Sequence, residues 1–91
     1  MLSSKERKRF KRELHHRRAS VIVGKAGAAS ALPEVERQLE DKELIKVRVL
    51  RSAGEGVEEI AKEIADATQA EVVEVKGRTF GLFRRRRRKE V

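Results

Sequence analysis

Gly24-Lys25-Ala26-Gly27 follows directly on the β-branched run Val21-Ile22-Val23. A glycine lacks the Cβ that holds other residues away from an incoming phosphate, and it reaches backbone angles that turn N–H groups outward. Lys25 adds a full positive charge, and the start of a following helix adds a partial one. The chemistry such a set serves is anion binding. The spacing alone also describes a tight strand-to-helix turn. No Gly-Lys-Ser/Thr follows and the loop is shorter than a Walker loop, which argues against nucleotide hydrolysis. Two further groups of cations bracket the loop in sequence: Lys5, Lys8, Arg9 and Arg12 before it, and Arg84, Arg85, Arg86, Arg87 and Arg88 with Lys89 far after it. Arginine forms bidentate contacts with phosphate and stacks on bases, so both groups are candidate nucleic-acid contacts.

Other residue types carry less. His15 and His16 are adjacent and diverge on a helix, so they make a poor metal pair. Glu58, Glu59 and Glu63 have the spacing of an exposed helix face rather than of paired catalytic acids. Spacing supports no Ser–His–Asp or Cys–His constellation. No cofactor, no metal and no enzymatic activity are expected. There is no Cys, Trp or Tyr, and the three Phe fit core positions. A surface that stacks bases on exposed rings is therefore not expected; the grip should be on backbone and shape, with structured or duplex RNA preferred.

The chain has 91 residues and a formal charge of +8. Such a balance favours an acidic partner, most simply nucleic acid. Residues 1–18 hold eight basic and two acidic groups, residues 84–91 six and one, and the stretch between nine and twelve. The excess basicity thus belongs to the two ends. No apolar run approaches the roughly 20 residues of a membrane span, and the polar start does not read as a secretory signal. Lipidation signals and aromatic anchors are lacking, so no membrane role is expected and cytoplasmic residence is the default. Charged residues make up 42% of the chain and Asn is absent, a bias found in proteins of thermophiles.

The elements that must position these groups follow from periodicity. Ser3-x-x-Glu6 is a capping box, and Phe10 and Leu14 at i, i+4 give a helix over 4–16 one narrow apolar stripe. Ala19–Val23 reads as a strand buried on both faces. Ser30 is a good N-cap for a second helix, with Pro33 in its first turn and its end near Lys42. Leu44–Leu50 alternates, with Ile45, Val47 and Val49 on one side and Lys46 and Arg48 on the other. Residues 52–56 form a loop. Val57, Ile60, Ala61, Ile64, Ala65 and Thr68 mark a third helix. Glu71–Val75 and Thr79–Phe83 are strands joined by a hairpin turn at Lys76-Gly77-Arg78. The result is a two-layer α/β domain, α-β-α-β-α-β-β, with a four-stranded mixed sheet over residues 1–83. Residues 84–91 read as a basic, flexible tail.

VIVGKAG at 21–27, ELIKVRV at 43–49 and VKGRTFGLFR at 75–84 together resemble the CRM domain (chloroplast RNA splicing and ribosome maturation), whose single-domain prokaryotic form is the YhbY family. The resemblance spans about residues 2–84. Ala28 stands where the family usually has Leu, and Phe83 where Tyr is common. The resemblance implies a fold related to the C-terminal domain of translation initiation factor three, with strand order 1-2-4-3. It also implies a loop at Gly24–Gly27 that contacts RNA, and association with large ribosomal subunits or with intron splicing. The expected function is binding of ribosomal RNA, as an assembly factor or ribosome-associated component. The alternatives are a splicing or tRNA-processing cofactor and a general nucleic-acid-binding basic protein. RNA and ribosomal particles are the expected partners, and the chain is expected to be a monomer away from RNA.

Overall fold

The computed structural model describes residues 2–86. Helix α1 (Ser4–His15) begins at the expected capping box: the Ser3 hydroxyl accepts from the Glu6 amide at 3.1 Å and the Glu6 carboxylate accepts from the Ser3 amide at 3.1 Å. Strand β1 (Val21–Val23), helix α2 (Gly27–Lys42), strand β2 (Leu44–Val49), a 3₁₀ turn at Arg51–Ala53, helix α3 (Val57–Thr68), strand β3 (Glu71–Lys76) and strand β4 (Thr79–Phe83) follow. The sheet order is β1-β2-β4-β3, with β1 and β2 parallel and the other pairs antiparallel. This is the three-helix, four-stranded mixed α/β arrangement expected from the sequence.

Strand alternation divides the apolar residues between two clusters. Ile45, Val47, Val49, Phe80 and Leu82 face α2 and α3, where they meet Val35, Leu39, Ile60 and Ile64. The neighbouring residues Leu44 and Phe83 point the other way and meet Phe10 and Leu14 of α1. The main two layers therefore carry α1 as an addition on the second face of the sheet. Phe10 stacks on Phe83 with centroids 4.6 Å apart and planes at 23°.

A bulge at Val72–Glu74 helps α1 dock. Val72 pairs with Leu82 and Glu74 with Gly81, so Val73 is extra. The inserted residue puts both Val73 and Glu74 on the side of α1. Arg7 ties this bulge to α1: its Nη1 donates to the carbonyls of Val72 at 3.0 Å and Val73 at 2.6 Å.

Three local expectations are corrected. Helix α2 begins one turn early, at Gly27 rather than after a Ser30 cap, because Gly27 adopts φ +85° and turns the chain directly into the helix. Pro33 then falls inside the helix, on its exposed side, where water can reach the Ala29 carbonyl that it leaves without a donor. Strand β1 is not buried on both faces: Val21 and Val23 are buried but Ile22 is 59% exposed. β1 is an edge strand, and α1 does not extend over it.

Gly81 lies directly beneath α1. A Cβ there would come within 2.2 Å of Leu14 Cδ1 and 3.2 Å of its Cγ. Leu14 is itself buried and cannot swing clear. Gly81→Ala should lower stability by about 1–3 kcal/mol through overpacking. In urea denaturation the pair Gly81→Ala and Leu14→Ala should cost less together than the sum of the two single changes. Strict additivity would refute the contact.

Candidate nucleic-acid interface

Lys46 sets the boundary of the site. Its ammonium donates to the carbonyls of Leu14 at 3.0 Å and Arg17 at 3.1 Å, adding to the Arg17 amide that donates to the Leu14 carbonyl at 3.2 Å at the end of α1. Helix α1 thus stops over the row formed by Lys46, Gly81 and Glu74. The next row on the same face is open. It carries Ile22 paired with Arg48, then Thr79 paired with Arg48 and with Lys76. Beyond it lie Gly24 and Leu50. A Cβ on Gly24 would meet Leu50 Cδ1 at 3.5 Å and Ser52 Oγ at 3.8 Å, which places all three residues side by side.

The Gly24–Gly27 loop rises from this end of the sheet. Gly27 donates its amide to the Gly24 carbonyl at 2.9 Å, and Lys25 and Ala26 are exposed at the tip. The first turn of α2 carries no acid, and no side chain caps it. The two glycines have different reasons to be there. Gly27 needs its positive φ for the turn into α2. Gly24 has no such conformation, and a Cβ would meet only ordinary contacts. The fold itself does not require a glycine at 24.

Arg78 braces the loop's neighbour. Its Nε donates to the Val49 carbonyl at 2.8 Å and its Nη2 to that of Leu50 at 3.1 Å. The two-residue turn Gly77-Arg78 has a glycine at φ +59° in its first position, as a type II′ hairpin requires.

Lys5, Lys8, Arg9 and Arg12 are all exposed on α1. Their spacing makes one stripe, and it runs toward the open half of the sheet on the same face. The Arg9 guanidinium covers the Phe10 ring at 5.0 Å. Arg17 and Arg18 continue the stripe beyond the helix, with Arg17 Nη1 donating to the Leu44 carbonyl at 2.7 Å.

The terminal arginines are placed differently. Arg84 is not the first residue of a free tail: it is half-buried, donates to both Glu36 oxygens at 2.9 and 3.0 Å, and to the Thr68 carbonyl at 2.9 Å. Arg85 lies 5.3 Å over the Phe83 ring and pairs with Glu6 at 2.6 Å. The Arg86 amide donates to Glu43 at 2.7 Å, and its side chain reaches the Asp41 carbonyl at 3.2 Å. These three residues connect β4 to α1, α2 and α3. Arg87 and Arg88 lie outside the described residues.

Sequence reasoning passed over Arg48, Arg51, Lys76 and Ile22 as parts of a surface. A charge sum along the chain hides them, because strand alternation sends neighbours to opposite faces. Helices α2 and α3 carry eight acids and three bases, and these stretches cancelled the sheet's cations in the sum. Among the described residues no group of three or more His, Cys, Asp or Glu could hold a metal. His15 instead contacts Glu74, Nε2 to Oε2 3.1 Å. No helix of the described residues is long and apolar enough to cross a membrane.

Comparison with known proteins adds to this geometry. The model of the CRS1 / YhbY (CRM) domain matches residues 2–84. A protein of Methanocaldococcus jannaschii named "Probable RNA-binding protein" is 41% identical over 87 residues; the alignment covers 93% of this chain, and the chain spans only 65% of that relative's length. YqeI of Bacillus subtilis, also named "Probable RNA-binding protein", is 28% identical over 85 residues, covering 92% of this chain and 88% of YqeI. The solution structure of a hypothetical Staphylococcus aureus protein, described as a candidate RNA binder, superposes with a TM-score of 0.74 at 27% identity, covering 99% of this chain and 93% of that one.

The Glu6–Arg85 contact makes a prediction about acid. The Glu6 carboxyl is held below the ordinary range first by the Ser3 amide and then by Arg85. A depressed carboxylate contributes stability above its unfolded pKa, and that stability is lost as pH falls through the folded value. Tm should therefore drop as pH is lowered below about 4.3, the ordinary Glu value. Glu6→Gln should flatten part of that drop; Glu34, depressed by Arg37, supplies another part. An unaltered acid profile in Glu6→Gln would refute this contribution of Glu6.

Proposed function

The chain belongs to the CRS1/YhbY (CRM) domain family, and on that premise we propose that it is an RNA-binding protein acting on ribosomal RNA, as a large-subunit assembly factor or ribosome-associated component. The observation that carries the reading is the division of charge across the sheet. The acids gather on α2 and α3, the cations of α1 and the open half-sheet share the opposite face, and the Gly24–Gly27 loop stands at the end of the sheet between them. A phosphate backbone laid along that face meets Lys5, Lys8, Arg9 and Arg12, then Arg48, then Lys25. The names of the two sequence relatives support RNA as the polymer. The choice of ribosomal RNA rests on the family's association with ribosomal particles.

In this reading Lys25 contacts phosphate and Gly24 admits the backbone to contact distance. Arg84, Arg85 and Arg86 hold the described end of the chain against the domain. Arg87 and Arg88 remain proposed RNA contacts on charge alone.

Gly24→Asp should leave the circular-dichroism spectrum unchanged and weaken RNA binding by roughly tenfold or more, since like-charge juxtaposition is costly. Lys25→Ala should reduce the slope of log K against log salt by about 0.7–0.9, the share of one phosphate contact. Fluorescence anisotropy across a salt series measures both. Unchanged affinity in a folded Gly24→Asp would make the loop a turn and nothing more.

In a sucrose gradient of cell extract at low salt, the protein should sediment with large ribosomal subunits or their precursors, and leave them at high salt. Quantitative mass spectrometry of the fractions decides the matter. Protein found only at the top of the gradient at both salt levels would end the ribosomal reading.

A further inference from the structure

Two large apolar side chains are exposed among the described residues, Ile22 at 59% and Leu50 at 37%. Both lie on the open half of the sheet face, one row apart, and both border Gly24. A scattered surface aliphatic needs no explanation. Here the two lie one row apart, and cations stand beside them. Ile22 is directly paired with Arg48. Arg51 follows Leu50, Lys25 follows Gly24, and Lys76 stands at the end of the same row, all exposed. Glu74, in the neighbouring row, is already in contact with His15.

This pattern selects its occupant. A second protein copy would set cation against cation across the patch. A duplex presents phosphate to the cations but nothing flat and apolar to the two aliphatics. An unpaired nucleotide presents both: a phosphate for Lys25 or Arg48, and a base whose face excludes water from Ile22 and Leu50. Gly24, which the fold does not require, lies between the two kinds of contact and keeps the approach clear.

We propose that Ile22 and Leu50 form a seat for an unpaired nucleobase beside the Gly24–Gly27 loop, so that the RNA recognised is a helix interrupted by a bulged or looped-out nucleotide. The seat rests on the reading of this face as an RNA surface and gives that surface a preference. Helix α1 and its stripe take the paired segment; the open half-sheet takes the extruded base. Unpairing costs least where the base is already extruded, so the seat rewards such sites over continuous duplex.

Two RNA hairpins test this, identical but for one bulged adenine, which in a labelled copy is 2-aminopurine. The full chain should bind the bulged hairpin roughly tenfold more tightly, the scale expected for burying part of an aliphatic side chain. The fluorescence of 2-aminopurine should change on binding. Ile22→Thr keeps a β-branched residue in the strand. It should lower affinity for the bulged hairpin to that for the plain one, abolish the fluorescence change, and leave plain-hairpin binding and Tm unaltered. Leu50→Thr should do the same in part. Equal binding of both hairpins by the unmodified chain overturns the seat while leaving the RNA reading intact. Ile22→Thr weakening both hairpins alike also overturns it. Binding of neither hairpin overturns the RNA reading and the seat with it. A dimer in light scattering that Ile22→Thr dissolves would assign the patch to a second copy instead.

Discussion

Leu14 fills the space that a β-carbon on Gly81 would need, with its Cδ1 2.2 Å from that position. The contact fixes where α1 can lie on the sheet. With Leu14 seated at Gly81, Phe10 reaches Phe83 one turn earlier, and Arg7 reaches the carbonyls of the β3 bulge. The end of the helix then falls over Lys46, whose ammonium closes it. Half of the face is covered as a consequence and half is left open. A side chain at position 81 would push α1 off the sheet, and the cationic stripe and the open row would no longer be neighbours.

The described cations divide by what they touch. Arg7, Arg17, Lys46, Arg78, Arg84 and Arg85 each donate to carbonyls or carboxylates of the chain. Their main work is to close helix ends, tie a bulge to α1 and link elements. They are the internal glue of a small domain without disulfides, whose core is small. Lys5, Lys8, Arg12, Arg48 and Lys76 are exposed on the α1 side of the sheet, and Lys25 is exposed at the tip of the Gly24–Gly27 loop. Charges that remain hydrated lose little when an anion arrives, and the exchange releases counterions from the nucleic acid. Charges locked into carboxylates would first have to break those contacts. Arginine predominates in the first group and lysine in the second, in keeping with a planar fork that suits fixed hydrogen bonds and a strongly hydrated point charge.

Local signals in the sequence carried most of the fold. The capping box at Ser3–Glu6 involves residues three apart, and both of its hydrogen bonds form. The period of α3 named Val57, Ile60, Ala61, Ile64, Ala65 and Thr68; the last five are buried and Val57 is half-buried. The alternation of β2 separated Val47 and Val49 from Arg48. What escaped were long-range choices. Nothing near Arg84 in sequence announces that its partners are Glu36 and Thr68, or near Arg85 that its partner is Glu6, 79 residues away. A run of arginines reads as a uniform cationic tail until the elements around it are placed. The exposure of Ile22 was equally hidden: three β-branched residues look the same in a central strand and in an edge strand, and only the reach of α1 distinguishes them. The early start of α2 turned on one backbone angle at Gly27, while Ser30 offered a better cap by type.

The division of the open face into cations and aliphatics also separates two kinds of binding energy. Phosphate contacts act through counterion release, so they weaken as salt rises and carry no information about sequence or base exposure. Apolar contact with a base face is insensitive to salt at that level, because it depends on water displaced rather than on ions released. A surface built only from the first kind would hold all helical RNA alike and would be stripped from it by moderate salt. Adding Ile22 and Leu50 beside Lys25 and Arg48 places a salt-tolerant, geometry-dependent term inside the electrostatic field. On the proposed reading the cations would bring RNA to the face and the aliphatics would decide where along it the protein stays. That arrangement would need no exposed aromatic ring, in a chain whose three Phe are buried and that has no Trp or Tyr.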